Sequence, residues 1–188
     1  TFVFYVSLRG KASILKPGNY EFTNPTIPEI TYALAQGASQ ELVITLPEGA
    51  TAYDLAKTLN QHGLGAAQKF FTLATDPPPS GLRNAYPFLG ETDSASGLEG
   101  YLFPDTYRLF KNASPQDIAH TFLRNFDKKM TPDIRDRIAQ SGKTLNQIVI
   151  MASLIEKEVI PDEERRIVSG ILWNRLGIGM ALQVDATI

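Results

Sequence analysis

In the first third of the chain, apolar positions alternate between extended and helical spacing, and they do so twice. LKPGNYEFTNPTIPEITYALAQG, residues 15 to 37, is followed by LVITLPEGATAYDLAKTLNQHG, residues 42 to 63. Each stretch offers an extended segment, a nearby Pro and Gly turn, a Thr able to cap a helix, and a helix closed by Gly. In the first, Thr26 precedes Ile27-Pro28, and Ile30 and Leu34 carry the apolar stripe towards Gly37. In the second, Thr51 precedes a helix with Leu55 and Leu59 inward, closed near Gly63. Two copies are too few for a solenoid, so the pattern predicts two small α+β units packed together. The opening, Thr1 to Leu8, reads on propensity as a strand.

The pattern then changes. Residues 76 to 97, DPPPSGLRNAYPFLGETDSASG, hold no helical period and are rich in Pro, Gly and Ser, which predicts a linker. Strong helix signals follow. Ser114-Pro115 starts one helix with Asp117 placed to help the cap, and Thr131-Pro132 starts another that Gly142 stops. Thr144 and Gln147 form a capping box for a third, ended by Pro161; a fourth runs from about Asp162 to Leu176 before Gly177. The fold class expected is α+β: a small front module, then a mainly helical domain.

The third helix carries ASLIEKEV, residues 152 to 159, where Glu156 and Glu158 sit among apolar neighbours. An ionised carboxylate buried without a partner is expensive, so each glutamate needs a partner or a purpose. On a wheel at about 100° per residue, Asn146, Ser153 and Lys157 share the solvent face. Glu158 falls between Leu154 and Met151, and Glu156 between Leu145 and Val149, roughly 160° away. They face different surroundings. The bland reading is an ion pair with Arg165, Arg166 or Arg175 of the next helix. The functional one is a general acid, because apolar surroundings keep a carboxyl protonated. Spacing alone leaves both open.

Composition narrows the classes. With 43% hydrophobic and 20% charged residues, the 188-residue chain can bury a genuine core. A formal charge of −2 with scattered Lys and Arg argues against a nucleic-acid partner. There is no cysteine, which removes thiolate chemistry, and His62 and His120 alone cannot build a His-rich zinc site. No metal or cofactor is expected. No apolar run reaches the ~18 residues of a membrane span, and the opening lacks the basic region of a signal peptide. A further run, EGYLFPDTY at 99 to 107, places Tyr101, Phe103 and Tyr107 at alternate positions. These aromatics suit either the buried face of a strand or stacking on a sugar.

EGYLFPDTY, ASLIEKEV, ILWNRLGIGM and LQVDATI, in that order, resemble the endolytic murein transglycosylase family, the YceG-like or MltG proteins. LKPGNYEF is similar to the turn of that family's LysM-like module, and the opening Thr1 to Leu8 is similar to a helix in family members, against its strand propensity. The resemblance implies a LysM-like module over 1–75 with its first unit incomplete, a linker over 76–96, and a catalytic domain over 97–188 that continues further in family members. It makes Glu158, the second glutamate of the Glu-Lys-Glu motif, the catalytic residue. Glu99, Tyr101, Gln183 and Asp185 become candidate substrate contacts. Where the family reads Gln-Ser-Asp-Pro-Thr, this chain has Gln183-Val184-Asp185-Ala186-Thr187.

The implied substrate is peptidoglycan, cut between N-acetylmuramic acid and N-acetylglucosamine to leave a 1,6-anhydro end, in cell wall assembly and the termination of glycan strands. The implied partners are enzymes of cell-wall synthesis. The implied location is the extracytoplasmic side of the cell membrane, held by a single-pass anchor that precedes the front module. A non-catalytic peptidoglycan-binding or scaffold protein of the same fold is the alternative.

Overall fold

The computed structural model describes residues 2–8, 10, 13, 15–16, 20, 22, 25–36, 41–91, 97–158 and 161–184. The elements run α1 (Phe2–Leu8), α2 (Ile27–Gln36), β1 (Glu41–Leu46), α3 (Ala52–Gln61), α4 (Ala67–Thr75) and α5 (Ser80–Ala85). A 3-10 turn (Pro87–Glu91), β2 (Asp105–Phe110), α6 (Pro115–Lys129), α7 (Pro132–Gln140), α8 (Leu145–Lys157) and α9 (Asp162–Gly177) follow. The mixed, mostly helical α+β class agrees with the sequence reading. None of the helices among the described residues is long and apolar enough to cross a membrane.

The capping signals were reliable. Thr51, Ser114 and Thr144 each accept a backbone N–H three residues on, and the N3 side chain returns the bond, so α3, α6 and α8 all open on capping boxes. Pro115 and Pro132 open α6 and α7, where a missing N–H costs nothing. The opening segment is a correction: it forms α1 rather than a strand, with Val6 buried. Local β propensity yields there to packing, since α1 lies against α2.

Of the expected linker, residues 76–91 are described, and they pack into the fold. They carry α5 and the 3-10 turn, and Leu82, Phe88 and Leu89 belong to the core. Tyr86 donates its hydroxyl to the carbonyl of His120 on α6. The signal was misleading because Pro and Gly also start short helices. The low polar content of LRNAYPFLG was the clue to burial.

β1 and β2 lie on either side of this stretch and pair antiparallel, Glu41 opposite Phe110 and Leu46 opposite Asp105. One sheet therefore joins the front module and the mainly helical domain expected from the sequence. Its inner face presents Ile44, Leu46, Tyr107 and Leu109. On the outer face, Thr45 and Thr106 share a hydroxyl hydrogen bond at 3.0 Å. α6 is the central beam. Its buried Ile118, Phe122 and Phe126 recur at i+4; Phe122 meets Tyr107 at 3.9 Å between centroids, and Phe126 meets Phe88 and Tyr101, each at 5.2 Å. A single cluster runs from Ile44 through Phe70 and Leu98 to Leu145.

Of the motif LKPGNYEF, expected to form a LysM-like turn, residues 17–19 and 21 lie outside the described residues.

Candidate active site

α8 is less buried than its apolar sequence suggests. Leu145 and Met151 are enclosed, while Ile150 is 52% exposed. Glu158 is not inside the helix but caps it, with its N–H bonded to Ile155 O at 3.3 Å in place of the regular helical ladder. Pro161, which has no N–H, follows three residues later and starts the next helix. Glu158 is half-buried. Its Oε1 is shielded and has no hydrogen-bond partner among the described residues.

Glu156 differs. Its Oε2 meets Arg165 Nη1 at 2.9 Å, which realises one of the three arginine partners considered from the sequence. With the arginine side chain 39% and the glutamate 32% exposed, water screens the pair. Its worth to stability is therefore about 1 kcal/mol or less, far below that of a buried pair.

Two loops meet the C-terminal half of α8. The turn from Pro47 to Thr51 brings Gly49 so close that a Cβ there would lie 4.0 Å from Glu156 Cγ. The 97–104 loop brings Gly100 against Val149 and near Ser153 Oγ. Glu99, beside it, accepts the N–H of Ala52 at 2.9 Å, so this carboxylate ties the loop to the first turn of α3. A negative charge at a helix N-terminus is favourable, which gives Glu99 a structural task whatever it does with a ligand.

Tyr101 is 1% exposed and donates its hydroxyl to Asn146 Oδ1 at 3.2 Å, fastening the loop to the first turn of α8. Stacking on a sugar is not available from that ring in this arrangement. Tyr107 is likewise enclosed; burial pushes its phenol up from the ordinary value of 10.0, its hydroxyl donates to Phe103 O, and Asn125 Nδ2 donates to it at 3.0 Å. The alternating aromatics thus turn inward.

Gln183 is exposed and adopts a left-handed φ of +52°. The carbonyl of its neighbour Leu182 accepts from Arg175 Nη1 at 2.6 Å. That bond keeps the segment near the far end of α9, since Arg175 is about 15 Å along the helix axis from Arg165. Asp185 lies outside the described residues. A shallow groove of about 500 Å³ opens elsewhere, between α4, the Pro77–Pro79 stretch and the start of α6, lined by Lys69, Asp76 and Gln116 among others.

The profile of the YceG-like family matches residues 1–188. This chain belongs to the YceG-like family. Two proteins named endolytic murein transglycosylase, from Streptococcus pneumoniae (serotype 2, strain D39) and Bacillus subtilis (strain 168), are 29% and 26% identical to it. Both alignments take in 100% of this chain, but 37% of the first relative and 54% of the second, so it spans between a third and a little over half of their length. A crystal structure of a yceG-like protein from Listeria monocytogenes superposes with a TM-score of 0.63 at 25% identity, over 98% of this chain and 63% of that one. The Glu156-Lys157-Glu158 run closes α8, with its two carboxylates in unlike settings.

Proposed function

We propose that this YceG-like chain carries the acid–base centre of an endolytic peptidoglycan lytic transglycosylase, with Glu158 as the catalytic residue. The observation that carries the proposal is the state of Glu156, Glu99 and Glu158 near the end of α8. Glu156 is engaged by Arg165 and Glu99 by the start of α3, while the shielded Oε1 of Glu158 is unclaimed among the described residues. A glycosidase using two carboxylates needs a second free one. A lytic transglycosylase does not.

In such a reaction Glu158 gives its proton to the oxygen leaving the C1 of N-acetylmuramic acid, and the C1–O4 bond breaks. The carboxylate so formed takes the proton of that sugar's own 6-hydroxyl, whose oxygen closes on C1. The product is a 1,6-anhydro end; no water is consumed, and Glu158 finishes protonated as it began. The substrate's N-acetyl group stabilises the charge developing at C1. The substrate, the strand-ending role and an extracytoplasmic location follow from this reading and from the names of the relatives.

The test is digestion of purified peptidoglycan by the longest soluble form of the protein containing residues 1–188, with anhydro-muropeptides followed by mass spectrometry. Glu158→Gln is nearly isosteric and is expected to keep the fold. It should lose about 10²- to 10⁴-fold in turnover, the usual worth of acid–base catalysis. Retention of more than about a tenth of wild-type turnover would remove Glu158 from the mechanism. Binding of glycan strands without any anhydro product, from wild type as well, would favour the scaffold reading; the departures at Val184 and Ala186 are its support.

A further inference from the structure

The Glu156–Arg165 pair joins the last turn of α8 to the first turn of α9, and in the chain Glu158 lies between its two members. We propose that the pair is a positioning device for Glu158: it fixes the angle at the elbow between the two helices, and with it the direction of the Glu158 carboxyl. This rests on the reading of Glu158 as the acid and base.

Three observations point there. First, Glu158 is weakly held by its own element. Its N–H makes a single turn-type bond to Ile155 O at 3.3 Å, and Oε1 takes no donor among the described residues. Its direction must therefore be set from outside the helix. Second, among the described residues the apolar side chains near the start of α9 are little buried. Leu172 is buried further along, but Ile167 and Ile171 are 64% and 47% exposed, and Pro161 provides no side-chain cap. Among the described residues, no other ion pair crosses between α8 and α9. Third, the pair is too well solvated for stability to be its main effect.

The surrounding charges leave this pairing distinct. Lys157 points its field at Asp54 of α3, Glu99 is held by Ala52 N, and Glu48 and Arg166 are exposed. The Glu156 carboxylate is the partner on α8 that Arg165 meets, and through it Arg165 ties the start of α9 to the end of α8. A displacement of about 1 Å at a reacting group can cost ~10²-fold in rate, so a solvated pair can matter greatly to turnover.

The experiment compares wild type with Glu156→Gln, Arg165→Met, the double variant and Arg165→Lys in the peptidoglycan digestion assay. It is run below the melting transition of every variant, with melting measured alongside. Both single variants should lose at least about ten-fold in kcat with KM unchanged, the signature of an interaction that serves the transition state. The double variant should be no worse than the singles, because the two residues act as one unit. Arg165→Lys should recover part of the loss, since an ammonium keeps the charge without the planar fork.

Lowered melting temperatures with unchanged turnover per folded molecule would overturn the proposal and leave the pair purely structural. Losses that multiply in the double variant would overturn it too. Glu158→Gln, run in parallel, separates the two failures. If it is inactive while the pair variants turn over normally, the positioning role falls alone. If it is active, the acid–base reading falls and takes the positioning role with it.

Discussion

At Gly100 the backbone φ is +82°, and an added Cβ would lie 2.5 Å from Val149 Cγ1. Both facts matter for the site, because the 97–104 loop meets Val149 in the middle of α8 through this close approach. A methyl group there meets a β-branched side chain with little rotamer freedom, on a helix held by its own ladder. Gly100→Ala is expected to cost about 2 to 4 kcal/mol, combining left-handed strain with overpacking. The shift of the urea midpoint checks this, and a change below about 0.5 kcal/mol would show that the loop moves away freely. Glu156 illustrates the opposite case at the same scale. An arginine partner was foreseeable, but its one-third exposure was not, and the exposure lowers the stability cost of removing it several-fold.

Among the elements, α3 shows how a local device becomes part of a tertiary one. Thr51 and Asp54 close its capping box, Glu99 takes the next N–H, and Lys157 of α8 lies within electrostatic reach of Asp54. The Thr51 hydroxyl, then its N–H, hold the Asp54 carboxyl below its ordinary value of 3.8. A depressed carboxyl stabilises the fold fully above its unfolded value and loses that contribution as pH falls through the lower folded one. The stability difference between wild type and Asp54→Asn should therefore be constant above pH 4.5 or so and shrink as pH drops below about 3.8. Urea titrations at several pH values measure it; a difference that grew on acidification would refute the sign. α8 was legible in kind but not in extent. Its capping box fixed the start, whereas its end at Glu158 depended on the turn into Pro161 and α9.

For the whole molecule, the decisive feature is that β1 and β2 pair across residues 47–104 over one core. Ile44 stands opposite Tyr107, whose ring rests on Phe122 of α6. Loss of Ile44 contacts should thus be felt in the back half as well as the front. Ile44→Ala is expected to cost about 2 to 5 kcal/mol. It should lower hydrogen-exchange protection in α6 together with that in α3, in one cooperative unfolding step. Independent melting of the two halves would restore the view that a linker separates them.

The sequence by itself determined what short-range chemistry decides. Caps at Thr51, Ser114 and Thr144 and the prolines opening α6 and α7 all depend on residues within one or two turns. The order of its motifs carried the family. Tertiary structure alone decided that Tyr101 turns inward, that Glu99 serves the start of α3, and that Leu82 and Phe88 make core of a Pro-rich stretch. It alone bonded Arg175 to the Leu182 carbonyl beside Gln183. The reason is physical: a cap is a hydrogen bond between near neighbours, but burial and pairing are bargains between residues tens of positions apart, whose approach no local pattern encodes.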